Sequence, residues 1–284
     1  MMRIDAHHHL WDLGRRDQPW MDGPWADPIR RSYALSDLTP QLTAHGFAGT
    51  VLVQSSASYA ETAELLALAA ADGPVRGVVG WADLTDPGLA DVLAAQPRGP
   101  GGLVGIRHQV QDEPDPDWLT RPEVLRGLGE VAEAGLVYDL LVTPRELPAA
   151  EAAVRALPGL SFVLDHAGKP AVARGDWQPW ADRTAALARH PNVSGKLSGL
   201  VTEADHAAWR PQQILPYARH VLDAFGPDRL LFGSDWPVCT LAADYDDVLA
   251  LAESATARLT PAERAAVFGG TAGRVYGVGA PRGR

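Results

Sequence analysis

Cysteine is almost missing from this chain: its 284 residues contain one, Cys239. A single cysteine excludes internal disulfides and any cysteine-cluster metal site, and its plain reading is a small buried hydrophobe. Long apolar runs are missing too. No stretch of about 18 apolar residues occurs, and the opening MMRIDAHHHLWD has no apolar core of signal-peptide type. A cytoplasmic protein that stays off membranes is therefore expected. Positive charge is short, because 25 Lys and Arg face 35 Asp and Glu for a formal charge of −10. Such a surface repels phosphate backbones, so nucleic acid is not an expected partner. Neither a Gly-X-Y repeat nor sustained heptads appear, which removes collagen and coiled coil. Disorder is excluded as the main state, since 46% of the residues are hydrophobic and they are spread along the chain.

Short Val, Leu and Ile runs alternate with longer Ala- and Leu-rich segments. The runs are Arg3–Ala6, Gly49–Gln54, Val75–Trp81, Leu103–His108, Leu136–Val142, Ser161–His166, Asn192–Leu197 and Arg229–Asp235. Each is nearly continuous in apolar character and bounded by Gly or Pro, as strands buried on both faces are. Helical patterns fall near 36–46, 61–72, 87–95, 122–134, 145–156, 180–189, 212–225 and 245–257, with two short ones near 261–268 and 271–276. Several begin with Pro or stop at Gly. Eight strands alternating with eight helices predict a (β/α)₈ barrel, one domain over residues 1–284. A doubly wound open sheet competes less well, because no G-x-G-x-x-G follows the first strand. The one long irregular stretch, His9 to Ser36, carries Trp11, Trp20, Trp25 and Tyr33. It reads either as a binding lid or as a surface loop whose aromatics cover the barrel rim.

The chemistry-bearing residues fall at the C-terminal ends of the strands, where barrels of this kind build their sites. The three histidines near the terminus interrupt a strand-like segment and read as intrinsic. Residues two apart on a strand share a face, so His7 and His9 would point into the mouth and His8 away. Arg107 and His108 end the fourth strand, His166 the sixth, Lys196 the seventh and Asp235 the eighth. Alternation alone does not fix which of Arg107 and His108 points inward. Unpaired buried charge is costly, so so many polar strand ends are better explained by a site than by core packing. Asp12 and Asp165 read as supporting groups, Trp81 and Trp236 as rim packing, and His45, His190, His206 and His220 as solvated.

Five phrases carry a resemblance: Ile4-Asp-Ala-His-His-His-Leu-Trp-Asp12, Gly105-Ile-Arg-His108, Leu164-Asp-His-Ala-Gly-Lys-Pro170, Lys196-Leu-Ser-Gly199 and Leu231-Phe-Gly-Ser-Asp-Trp-Pro237. Together they resemble the amidohydrolase superfamily, and within it the sugar-lactonase branch known as amidohydrolase 2. The resemblance implies His7, His9 and Asp235 as metal ligands and Asp235 as the group that activates water. His166 matches the branch's strand-six histidine and would share in catalysis. No carboxylatable lysine ends the fourth strand, and the fifth offers Tyr138 and Asp139 instead of histidine. One divalent metal is then the ceiling, zinc being the expected ion, and the branch also allows none.

The expected activity is hydrolysis of a small polar lactone, with Asp235 as general base and Arg107, His108 and Lys196 orienting the substrate. A metal-dependent decarboxylase of a small carboxylic acid is the alternative, with His108 as its extra histidine. A non-catalytic binding protein is disfavoured by the intact His7, His9 and Asp235. The sequence leaves assembly into a homo-oligomer open.

Overall fold

The structure, a computed structural model, describes residues 2–71 and 73–279. Its eight strands are β1 (Arg3–His8), β2 (Phe47–Val53), β3 (Val75–Gly80), β4 (Leu103–His108), β5 (Val137–Leu140), β6 (Ser161–Leu164), β7 (Val193–Leu197) and β8 (Leu230–Phe232). They pair in parallel in chain order, β1 to β8. The eight helices that follow the strands in turn are α1 (Leu35–Ala44), α2 (Tyr59–Ala70), α3 (Leu89–Ala94), α4 (Pro122–Glu133), α5 (Leu147–Ala156), α6 (Trp180–Ala188), α7 (Pro211–Phe225) and α8 (Tyr245–Ala255). Two short helices, α9 (Pro261–Ala265) and α10 (Thr271–Val275), finish the fold. This is the expected single-domain (β/α)₈ barrel. The predicted end of the second helix, Asp72, lies outside the described residues.

Local sequence explains where the helices start. Ser58 accepts from Glu61 N to begin α2, and Asp244 accepts from Asp247 N to begin α8. Pro occupies the first turn of α4, α5, α7 and α9, where its missing N–H has no partner to lose. The sheet closes through the residues after β8 rather than through β8 itself. Asp235 N donates to His7 O at 2.8 Å, and His9 N donates to Trp236 O at 2.7 Å. Asp5 reinforces this seam, accepting from Ser234 N at 2.9 Å and Tyr245 Oη at 3.2 Å. Burial pushes the Asp5 carboxyl up to about 6.

The barrel interior has two parts. Its floor is apolar: Ile4, Ala6, Val51, Val53, Val79, Val137, Val163 and Leu231 pack against Ala272, Tyr276 and Val278. Above them the interior turns polar. Two of the strands that stop short of their apolar runs turn into left-handed backbone at this level. β6 ends at Leu164, and the chain then turns through His166 (φ 50°), Ala167 (φ 55°) and Lys169 (φ 49°). β8 ends at Phe232, and Asp235 sits at φ 59°. Left-handed backbone at non-glycine residues costs energy and gathers at functional sites.

Candidate active site

β1 delivers His7 and His9. Ala6 packs with Ile4 in the floor, yet His7, one residue on, also faces inward. A register irregularity between Asp5 and His8 absorbs the extra residue. The predicted alternation holds beyond it: His7 Nε2 and His9 Nε2 lie 3.0 Å apart, and His8 turns outward to Thr50 Oγ1 at 2.9 Å. His9 Nδ1 is fixed on Val53 O at 2.8 Å.

Asp235 completes the cluster. Its Oδ1 stands 3.4 Å from His9 Nε2, 3.7 Å from His7 Nε2 and 4.0 Å from His166 Nε2. His166 Nδ1 in turn lies 3.0 Å from Ser198 Oγ. Two glycines let these elements approach. A Cβ on Gly233 would sit 2.6 Å from His7 Cβ, and one on Gly199, at φ 63°, would sit 2.4 Å from His166 Nδ1. Burial pushes the Asp235 carboxyl up, but His166, the His9 contact and Lys169 outweigh it and hold the group below the usual carboxylate range. Burial drives the imidazoles the other way. It takes His166 down to about 4, and with the Lys196 charge it takes His7 well below its ordinary value. The site therefore presents the Asp235 carboxylate beside the neutral imidazoles of His7 and His166 at pH 7.

Arg107 is the member of the strand-four pair that turns inward. Its Nη1 donates to Asp165 Oδ2 at 3.1 Å and approaches His7 Nε2 at 3.4 Å, and its Nη2 donates to Gln54 O. Its Nε, buried, has no hydrogen-bond partner among the described residues. His108 has a different setting. It accepts from Trp81 Nε1 at 3.0 Å, meets Glu113 at 2.7 Å and stacks on Trp118 at 4.4 Å between centroids. It is not among the residues lining the cavity above Asp235.

The expectation that Lys196 orients substrate meets a buried geometry instead. Lys196 has no exposed surface and does not line the cavity. Its Nζ touches Asp139 Oδ2 at 2.5 Å, Asp165 Oδ1 at 2.8 Å and His7 Nδ1 at 3.0 Å. Tyr276 donates to Asp139 at 2.8 Å from below. The ammonium thus ties two carboxylates together beneath the histidines. Burial alone would raise Asp165, but Lys196, His7 and Arg107 hold it well below the usual range. Asp165 does act as a supporting group, whereas Asp12 is exposed in the loop and accepts from Ser32 at 3.1 Å.

Above this floor lies a cavity of about 250 Å³. Asp235, His9, His166 and Arg107 form its base, and Gln109, Gln111, Asp112, Lys169, Thr202, Glu203 and His206 add polar lining. Trp20, Trp25, Leu141, Val238 and Leu241 make it partly apolar. Lys169 is paired with Glu203 at 2.9 Å. The sequence reading passed over Lys169 and Glu203 and took His206 as solvated, whereas it lines the cavity. Lys169 lies inside a quoted phrase, but nothing in the β7–α7 loop marks Glu203 or His206 before the loops meet.

The donor set suits a divalent cation. His7, His166 and Asp235 offer ligand atoms within 4.8 Å of one another, and His9 contacts two of these three residues. Imidazole nitrogens with one carboxylate are the ligands zinc takes, and three or four protein ligands are enough for a catalytic ion. Asp165 Oδ1, 3.5 Å from His7 Nδ1, stands behind the ligand as an orienting carboxylate does.

Strand-end histidines, a strand-eight aspartate and a closed parallel barrel define an amidohydrolase. Residues 4–278 match that family, and the chain belongs to it. It is similar to the L-fucono-1,5-lactonase of Burkholderia multivorans, at 42% identity over 99% of this chain and 97% of that protein. The L-fucono-1,5-lactonase of Burkholderia ambifaria is also 42% identical, over 99% and 97%. A crystal structure of an amidohydrolase from B. multivorans with bound zinc superposes with a TM-score of 0.92, at 42% identity over 98% of this chain and 100% of that one. No described helix is long and apolar enough to cross a membrane.

Proposed function

We propose that this protein hydrolyses a sugar-type lactone to the open hydroxy acid. The observation that carries the reading is the ionised Asp235 carboxylate at the base of a cavity whose cations are already paired. Arg107 is neutralised by Asp165, and Lys169 by Glu203. A dicarboxylate substrate would need a free guanidinium or ammonium; a neutral polyol ring needs the amides, carboxylates and hydroxyl present in the wall. Two relatives named L-fucono-1,5-lactonase make L-fucono-1,5-lactone the first compound to test.

In this reading Asp235 takes a proton from water while the water oxygen attacks the lactone carbonyl carbon. Arg107 is the cation at the cavity base that would meet the oxyanion. When the carbon–ring-oxygen bond breaks, the proton held on Asp235 passes to the departing oxygen, and lactone plus water become the hydroxy acid. His166, whose Nε2 stands 4.0 Å from Asp235 Oδ1, is the imidazole that would meet the water or the departing oxygen on this path. Lys196 and Asp165 hold His7 and Arg107 in place without touching substrate. His7, His9, His166 and Asp235 are the residues that would hold a single divalent ion, and such an ion supplies Lewis acidity and a lowered water pKa. Elemental analysis should find no more than one equivalent per chain, and two equivalents would refute the single site. The decarboxylase alternative loses support because His108, its candidate extra histidine, is engaged with Trp81, Glu113 and Trp118.

A pH-indicator screen of aldonolactones, run beside carbon dioxide release, tests the assignment. Acid production from aldonolactones without carbon dioxide supports it. Carbon dioxide from a carboxylic acid, with no lactone turnover, overturns it.

A further inference from the structure

The loop between β1 and α1 separates its aromatics into two jobs. Trp11 and Tyr33 are buried, pair with each other across the loop, and pack edge-on at 5.3 Å. Tyr33 continues onto Trp236, the residue after Asp235, at 5.2 Å. Trp20 and Trp25 instead line the cavity. Trp20 packs edge-on against Trp11 at 5.7 Å, and Trp25 follows at 6.0 Å with 47% of its surface exposed. A large apolar side chain that open to water is expensive unless something covers it.

Trp20 is not held by packing alone. Its indole Nε1 donates to Gln18 Oε1 at 2.9 Å, and Gln18 is itself 97% buried, being 3% exposed. Gln18 sits on a cluster at the end of β2. Its Nε2 reaches Glu61 Oε1 at 3.5 Å, and the Ser55 hydroxyl lies 3.1 Å from its Oε1. Glu61 is buried without an ion-pair partner among the described residues, and accepts Ser55 N at 3.0 Å and Ser56 N at 2.8 Å instead. A buried carboxylate persists only where donors saturate it, so this cluster is stiff. It connects barrel, loop and indole: Glu61 fixes Gln18, and Gln18 fixes the plane of Trp20. Ser55 lines the same cavity.

We propose that Trp20 and Trp25 form an aromatic platform that takes the C–H face of the substrate ring, with Gln18 as the residue that positions Trp20. This rests on the sugar-lactone reading and deepens it. A cyclic polyol has one face of C–H bonds and an equator of hydroxyls. The cavity offers both chemistries, indoles from the loop after β1 and the polar side chains Gln109, Gln111, Lys169 and Glu203 from the loops after β4, β6 and β7. Stacking on a large flat ring gives affinity and fixes ring orientation without a charge, which suits a neutral substrate.

The test separates binding from turnover. Binding is read by calorimetry with 1,5-anhydro-L-fucitol, a ring polyol that lacks the lactone carbonyl. Turnover is read with L-fucono-1,5-lactone. Trp20→Leu should weaken polyol binding about tenfold and raise KM alike, while kcat changes by less than about twofold. Trp20→Phe, which keeps a ring, should recover most of the loss. Gln18→Met removes the indole's acceptor while keeping side-chain length, and should raise Kd and KM about threefold with kcat held. If Trp20→Leu fails to fold, Gln18→Met and Trp20→Phe carry the comparison. Unchanged Kd and KM in the folded variants would overturn the platform, as would wild-type protein that does not bind the polyol. Wild-type protein that binds the polyol but hydrolyses no aldonolactone would reject the lactonase reading and leave the platform standing.

Discussion

At the floor of the barrel, Val137 and Val163 pack among Val, Ile and Leu side chains and against Tyr276. Two residues further along the chain, on β5 and just past β6, stand Asp139 and Asp165, bound to one lysine and, for Asp165, an arginine. The two levels share burial and neighbours, and differ in side-chain chemistry. Apolar packing is non-directional and roughly proportional to area, so the floor tolerates small losses one methyl at a time. The charged level has no such gradation. Each ion there is buried, and removing one leaves its partner uncompensated. The floor closes the barrel; the mouth fixes where His7, Arg107 and Asp235 point.

Five substitutions, the last two taken as a pair, break or sharpen this contrast, from the largest effect to the smallest. Asp235→Asn keeps the shape of the mouth and removes its base. Turnover of the aldonolactone should fall about 10² to 10⁴-fold with an unchanged melting temperature; wild-type-like kcat would end its assignment. Lys196→Met strips the charge that ties Asp139 to Asp165, and urea unfolding should show a loss of about 3–5 kcal/mol. A loss under about 1 kcal/mol would mean that the network is relaxed by solvent or by protonation. Val163→Ala, at the floor, should cost about 2 kcal/mol of stability with kcat/KM unchanged in the folded protein. A fall in kcat/KM there would show that the floor also tunes the site. The last comparison sits on one strand. Arg107→Met should lower kcat/KM at least tenfold, about 1.4 kcal/mol, while His108→Phe changes it less than about twofold. Equal effects would put both side chains in contact with substrate.

The strand order was readable because buried parallel strands write themselves as unbroken apolar runs, and the H-x-H spacing gave the inward histidines by alternation alone. Alternation could not choose between Arg107 and His108, since both faces of a barrel strand are buried. The partner lists decide: Arg107 meets Asp165 and His7, His108 meets an indole and a glutamate on the helix side. Lys196 misled for a related reason. A charged residue at the end of β7 looks like a substrate ligand until Asp139 and Asp165, from β5 and β6, are found on either side of it. Such cross-strand pairing depends on register, which no single run of residues reveals. The buried cluster of Gln18, Ser55 and Glu61 left no trace either, because its members come from a loop, a strand end and a helix.

The Lys169–Glu203 contact has a practical side. The chain has two lysines, Lys169 and Lys196. Lys196 has no exposed surface, so Lys169, with 24% of its side chain exposed, is the ε-amine a reagent can reach. Lysine coupling by dyes, resins and crosslinkers, spread harmlessly over most proteins, would fall here on the rim of the cavity and would compete with Glu203 for the nitrogen modified. Cys239 gives no substitute handle, since its thiol is fully buried. Attachment of this protein to a surface or a fluorophore therefore calls for an introduced residue on the outer helices, remote from the strand ends.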